Sequence, residues 1–263
     1  MKRILTGTVY VTILLLVIMQ AISTIVFFLI VAILATLELK KIFEKQNLDF
    51  HIWPALLLGL TSYLAIIFSE IKFIVFLEII IYCIYLLFQT RKNTILLVSG
   101  TFFSVIYIFI PLSLVSPIAC FENQIYNYKI LLGLLILIWS SDSFAFVCGK
   151  LFGKHKLFER ISPNKTWEGF IGSIILTTIS GYVISINGFG LSQTEWMILS
   201  SLSVISATLG DLFQSMLKRE SNIKDSGNIL PGHGGILDRF DSMLLCFPVF
   251  YLYLYYINPI LNY

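Results

Sequence analysis

The sequence predicts an all-α fold, a polytopic membrane helical bundle of about nine transmembrane helices. Three observations lead there. Of 263 residues, 57% are hydrophobic and only 13% are charged, with a mean hydropathy of +0.88. A soluble domain of that length has no interior large enough for so much apolar surface. The apolar residues also run in stretches of ~20, the length that crosses a bilayer as a helix. Finally, the basic residues gather at alternate breaks between those stretches.

In chain order the stretches fall at roughly 5–20, 22–38, 51–69, 71–89, 94–118, 129–148, 168–187, 194–214 and 240–257. Only the break from Gln20 to Thr24 separates the first two. With the N-terminus cytoplasmic and nine alternating spans, 16 of the 18 Lys and Arg residues lie on the cytoplasmic side, and only Lys72 and Lys129 fall outside. Positively charged loops stay inside. Merging the first two spans would invert every later loop, so nine spans with an exterior C-terminus is the better reading. Lys2 and Arg3 followed by an apolar run read as a retained signal anchor, because the apolar pattern continues into a second span. The net charge of +3 reflects these one-sided loops and does not point to nucleic acid. Cys83, Cys120, Cys148 and Cys246 lie in or at the ends of apolar stretches without paired spacing, as small buried hydrophobes do.

Polar chemistry concentrates in 215–241, SMLKRESNIKDSGNILPGHGGILDRFD. Four acids stand there with Lys218, Arg219, Lys224, His233 and Arg239, around Gly232, Gly234 and Gly235. Such density beside membrane spans is costly unless it performs a function. The mixture suits anionic ligands: carboxylates for a divalent cation, bases for phosphate, and glycines that let backbone N–H groups approach an anion. If the eighth span stays helical past its apolar part, Asp211, Ser215 and Lys218 share one helix face. Asp238 and Asp241, three apart at the entry to the ninth span, share another. Two helices would then bring carboxylates to one rim, a way to build an oxygen-ligated Mg²⁺ site. The plainer alternative has Asp238 and Asp241 capping the ninth span and pairing with Arg239.

Asp142 sits among Ser140, Ser141 and Ser143 inside the sixth span, where a carboxylate needs a function or a structural partner. Lys150, Lys154, Lys156, Arg160 and Lys165 follow in the next loop; the first three suit loop topology and anionic lipid as well as a substrate. Thr166 in SPNKTWEG reads as the N-cap of the seventh span, whose free N–H groups would face an anion. His233 is a phosphate-shaping or structural residue rather than a general base.

These residues resemble the signature of the CDP-diacylglycerol synthases (phosphatidate cytidylyltransferases). The match runs through Ser215, Lys218, Arg219, Lys224, Asp225, Ser226, His233, Gly234, Gly235, Asp238, Arg239 and Asp241, with Gly210 and Asp211 upstream. A second block covers 142–146, GKLFGKHKL at 149–157 and ISPNKTWEG at 161–169. The resemblance is strong from Trp139 to Pro248 and only hydropathic before that; Phe146 replaces a commoner Tyr, and Ser173 a usual Gly. It implies the reaction CTP + phosphatidate → CDP-diacylglycerol + pyrophosphate, in phospholipid biosynthesis at the cell (cytoplasmic) membrane. It implies catalytic roles for Asp211, Lys218, Arg219, Asp238 and Asp241, with Mg²⁺ on Asp211, Asp238 and Asp241 and room for a second, monovalent or divalent cation. Substrate binding would fall to Asp142, Lys165, Ser215, Lys224, Asp225, His233, Gly234, Gly235 and Arg239. The expected partners are CTP, phosphatidate, the bilayer and a second copy in a homodimer. Residues 1–263 would form one integral-membrane domain, with 1–128 as scaffold or dimer contacts and 129–263 as the catalytic half. A CTP-dependent lipid kinase of the polyprenol or phytol type is the nearest rival and would release CDP instead of pyrophosphate. A transporter would not need acids and bases gathered on one rim.

Overall fold

Apolar runs this long fold in hydrocarbon as helices because every backbone N–H and C=O must find its partner within the segment. The structure, a computed structural model, describes residues 2–46, 48, 50–88, 94–121, 125–227 and 234–257, the first five in backbone alone. Helices occupy every expected stretch: α1 (Lys2–Val17), α2 (Ala21–Lys45), α3 (Ile52–Ile67), α4 (Lys72–Leu87), α5 (Thr94–Ala119), α6 (Tyr128–Phe152), α7 (Trp167–Ile186), α8 (Gln193–Glu220) and α9 (Leu237–Ile257). Among the described residues, six of them, α2 and α5 through α9, are long and apolar enough to cross a membrane. The other three have 16 residues each. At ~1.5 Å per residue they rise about 24 Å, short of a ~30 Å hydrocarbon core. The chain is an all-α polytopic membrane protein.

Local sequence explains the ends and irregularities. Asn127 opens α6 by accepting from the Lys129 backbone N–H at 3.0 Å. Ser192 and Glu195 close a reciprocal pair of hydrogen bonds at the start of α8. In α5 the helix widens into a π turn at Val105–Phe109, just before Pro111. Proline has no N–H and crowds the preceding turn, and a wider turn relieves both defects. Several helices outrun their apolar stretches: α2 reaches Lys45, α6 reaches Phe152 and α8 reaches Glu220. Gly149, Lys218 and Arg219 therefore lie on helix, not in loops.

One feature was not expected from the sequence. Between α6 and α7 a short antiparallel hairpin pairs β1 (Lys156–Phe158) with β2 (Ser162–Thr166), matching Lys156 with Thr166 and Phe158 with Ser162. Strands of three and five residues, one of them holding a proline, leave no clear periodic signal.

The buried core joins α2, α5, α6 and α9 through Phe28, Leu39, Ile108, Leu134, Phe247 and neighbours. Small residues bring α6 and α7 together. A methyl on Gly169 would lie 2.7 Å from the Ala145 carbonyl and 3.1 Å from the Gly149 Cα. In a bilayer, close approach of this kind replaces the hydrophobic drive between helices. The outward face of α7 is an apolar stripe of Ile171, Ile175, Ile179 and Ile186, all exposed, as lipid contact requires.

Candidate active site

Asp211 is placed by the glycine before it. A methyl on Gly210 would lie 2.6 Å from the Asp241 carbonyl oxygen, so only glycine lets the backbones of α8 and α9 meet there. Asp211 and Asp241 consequently face one cavity of ≈340 Å³, together with Asp142, Asn164, Lys165 and Thr208. The Lys165 ammonium bridges to Asp211 Oδ2 at 2.6 Å and reaches the Thr208 carbonyl at 3.4 Å. Ser215, one turn along α8, donates to Asp211 Oδ1 at 3.3 Å. The helix therefore continues through Lys218, and the expected shared face is present.

A second cavity of the same volume adjoins the first. Tyr10, Trp139, Asp142, Asp238, Arg239 and Asp241 are among its walls. Asp142, Asp241 and Ser242 line both cavities, so the two meet along that edge. Asp142 is therefore open to polar space rather than to hydrocarbon, and among the described residues no hydrogen bond or ion pair engages it.

Asp238 is heavily committed. Its Oδ1 takes the Lys218 ammonium at 2.7 Å; its Oδ2 accepts from Ser226 N at 2.8 Å and Gly235 N at 3.1 Å. The structure does not bring Asp211 and Asp238 to one cavity; each lines its own, and Asp142 and Asp241 link them. Gly234 has φ +81°, a left-handed conformation that disfavours any side chain, and it turns the chain beside Asp225 and Asp238. Arg219 donates to the Ile223 carbonyl at 3.4 Å, while Lys224 and Asp225 are exposed. His233 lies outside the described residues.

The hairpin side of the site is held by two residues of TWEG. Thr166 caps α7 by accepting from Gly169 N at 3.2 Å, as its position suggests. Glu168 accepts from the backbone N–H groups of Lys154 and His155 at 3.0–3.2 Å and pairs with the His155 ring at 2.6 Å. This pins the GKHK turn against the start of α7, a role for His155 and Glu168 that their spacing did not announce.

Sequence reasoning also missed two residues of the first two helices. Tyr10, on α1, is part of the second cavity's wall, and among the described residues its buried hydroxyl has no hydrogen-bond partner. An orphaned buried donor next to a polar cavity suits a ligand. Glu38, on α2, is completely buried. It accepts from Ser226 Oγ and from the backbone N–H groups of Ile236 and Leu237, at 2.9–3.0 Å. In the sequence it is the acid that ends the apolar stretch 22–38.

Among the described residues, no three His, Cys, Asp or Glu side chains are grouped closely enough to hold a metal ion by themselves. The donor chemistry nevertheless fits Mg²⁺. That ion keeps several waters and typically takes one or two carboxylates plus substrate phosphates, and Asp142, Asp211 and Asp241 supply carboxylates to one cavity.

The sequence is similar to those of known proteins. The chain is similar to a phosphatidate cytidylyltransferase of Rickettsia bellii, 37% identical over 228 residues, which cover 84% of this chain and 95% of that protein. It is 43% identical over 132 residues to one from Haemophilus influenzae, covering 48% of this chain and 46% of that protein. To one from Bacillus subtilis it is 47% identical over 120 residues, 45% of each. The family described as the cytidylyltransferase family matches residues 1–257. That match takes in α1 through α9, both cavities and the helices that frame them, and the chain belongs to the cytidylyltransferase family.

Proposed function

We infer that the chain is a phosphatidate cytidylyltransferase, a membrane nucleotidyltransferase that converts CTP and phosphatidate to CDP-diacylglycerol and pyrophosphate. The observation that carries this reading is the pair of cavities joined at Asp142 and Asp241, one lined by Lys165 and the other by Arg239. Two anionic substrates repel each other, and a chamber with two joined compartments can hold both at reacting distance. The compartment against α1, with Tyr10, Trp139 and Met243 in its wall, suits a lipid headgroup with its acyl chains in the bilayer. The more polar compartment, with Asn164, Lys165, Thr208 and Asp211, suits the nucleotide phosphates.

A phosphatidate oxygen attacks the α-phosphorus of CTP; the new P–O bond forms as the α–β bridge breaks, and pyrophosphate carries away the bonding pair. The attacking oxygen is already ionised near neutral pH, so no strong base is needed. Positioning and charge neutralisation supply most of the acceleration. Lys165 and Lys218 are set in place by Asp211 and Asp238 and offer ammonium donors to phosphate oxygens. Arg239 adds charge in the wall of the second cavity, Arg219 adds it in the last turn of α8 and Lys224 on the segment that follows, and Ser215 fixes the Asp211 carboxylate. Mg²⁺ would be held by Asp211 and Asp241, with Asp142 beside them in the same cavity, and would neutralise charge on the phosphates and leaving group. A second cation fits the same carboxylate-rich edge. The functional unit is one integral-membrane domain, with residues 129–263 as its catalytic half. It crosses the cytoplasmic membrane nine times with its N-terminus inside, and it works as a homodimer.

The test is the full-length protein in detergent with α-labelled CTP and phosphatidate, with and without Mg²⁺. CDP-diacylglycerol and pyrophosphate appearing only with Mg²⁺ is the expected result. Release of CDP with a phosphorylated alcohol would instead identify a lipid kinase and overturn the assignment.

A further inference from the structure

Glu38 stands in the first half of the chain, yet among the described residues its hydrogen bonds all go to the second half. Its Oε1 accepts from Ile236 N at 3.0 Å; its Oε2 accepts from Leu237 N at 2.9 Å and from Ser226 Oγ at 3.0 Å. Two of these donors are backbone N–H groups at the start of α9, where Ile236 itself supplies no side-chain cap. A carboxylate from another helix thus does the work of an N-cap, at the positive end of the α9 dipole. A fully buried carboxylate costs several kcal/mol unless its lone pairs are used. Among the described residues no cation contacts this one, so those bonds to the chain around Asp238 are its compensation.

The neighbouring glycines are shaped to it. A methyl on either Gly227 or Gly235 would collide with the Glu38 carboxylate. The same face of α2 makes a second attachment one and two turns later. Gln46 Nε2 donates to Ser221 Oγ at 3.0 Å, and Ser221 Oγ donates to the Ile42 carbonyl at 3.3 Å. Residues 38, 42 and 46 are spaced by four and form one stripe along the helix. That stripe holds the end of α8, the segment 221–227 and the start of α9. Asp238, which accepts from Ser226 N and Gly235 N, hangs from the same two segments.

We propose that Glu38 is a positioning residue of the transfer reaction: carried in on α2, it fixes the first turn of α9 and segment 221–227, and through them the orientation of Asp238 and Asp241. This rests on the reading that those aspartates belong to the reaction chamber. It also gives the N-terminal half a direct part in catalysis, beyond scaffolding.

The experiment compares wild type, Glu38→Gln, Glu38→Ala and Ser226→Ala as full-length proteins in detergent. Three readouts are taken: backbone hydrogen exchange, thermal unfolding, and kcat and KM with CTP and phosphatidate. Expected is exchange at least tenfold faster in 225–227 and 234–241, with α6 and α7 unchanged. The kcat should fall about 10–100-fold, as for loss of a group that orients a reacting residue, while the CTP KM changes less than threefold. Glu38→Gln keeps part of the acceptor set and should lie between wild type and Glu38→Ala. If Glu38→Ala does not fold, Ser226→Ala, which deletes one of the three bonds, carries the same prediction at smaller amplitude. Exchange that is unchanged, or faster throughout the chain, overturns the proposal, as does local loosening with wild-type kcat. Asp238→Asn in the same assay separates the two ideas: if it too is fully active, the assignment of the chamber has failed rather than the role of Glu38.

Discussion

Lys165 and Lys218 are each paired with an aspartate, and the pairs differ in what else the carboxylate does. Asp211 keeps an edge toward the cavity beyond Lys165 and Ser215, whereas Asp238 spends its oxygens on Lys218 and two backbone N–H groups. Asp211→Asn keeps the shape and removes the charge. Turnover should fall by about a hundredfold or more, the scale of losing one preorganised electrostatic group, with the unfolding temperature little changed; full activity in the asparagine variant would end the role given to Asp211. Lys165→Ala should raise the CTP KM about tenfold or more, since a hydrogen bond to a charged group is worth about 1.5–3 kcal/mol. Lys165→Arg should recover part of that loss. The motif residues were legible in the sequence because charge inside an apolar chain stands out. Their pairings were not, because Lys165 and Asp211 are 46 positions apart and nothing local brings them together.

Helix ends and crossings set how precisely those residues are aimed. Thr166 was readable as an N-cap because capping is decided within four residues. The hairpin after α6 and the Glu168 anchor were not readable, being made of two short strands and of contacts across 13 or 14 positions. The crossing of α8 and α9 at Gly210 is the sharpest test at this scale. Gly210→Ala places a methyl against the Asp241 carbonyl, and over-packing of this kind costs about 1–3 kcal/mol. A lower unfolding temperature together with lost activity is the expected result. Unchanged unfolding and turnover would mean that the close approach at Gly210 is not what brings Asp211 and Asp241 to one cavity.

For the molecule as a whole, membrane topology is the open quantity. Six helices have spanning length among the described residues, and three more are shorter. The proposed nine-span topology places the basic residues on one side and has the short helices cross through locally thinned bilayer. A reporter fused at the C-terminus should then read as exterior, and one placed after α6 as cytoplasmic. A cytoplasmic C-terminal signal would remove the nine-span topology without touching the chamber. Composition and charge order determined that this is a many-helix membrane protein, which segments are apolar, and which residues bear chemistry, since each is a property of contiguous chain. Only the folded structure decided that Asp142 and Asp241 join two cavities, that Asp238 is tied by its neighbours, and that a glutamate of α2 caps α9. Those facts depend on contacts between residues up to 199 positions apart, and no periodicity or motif spacing records how distant helices lie against one another.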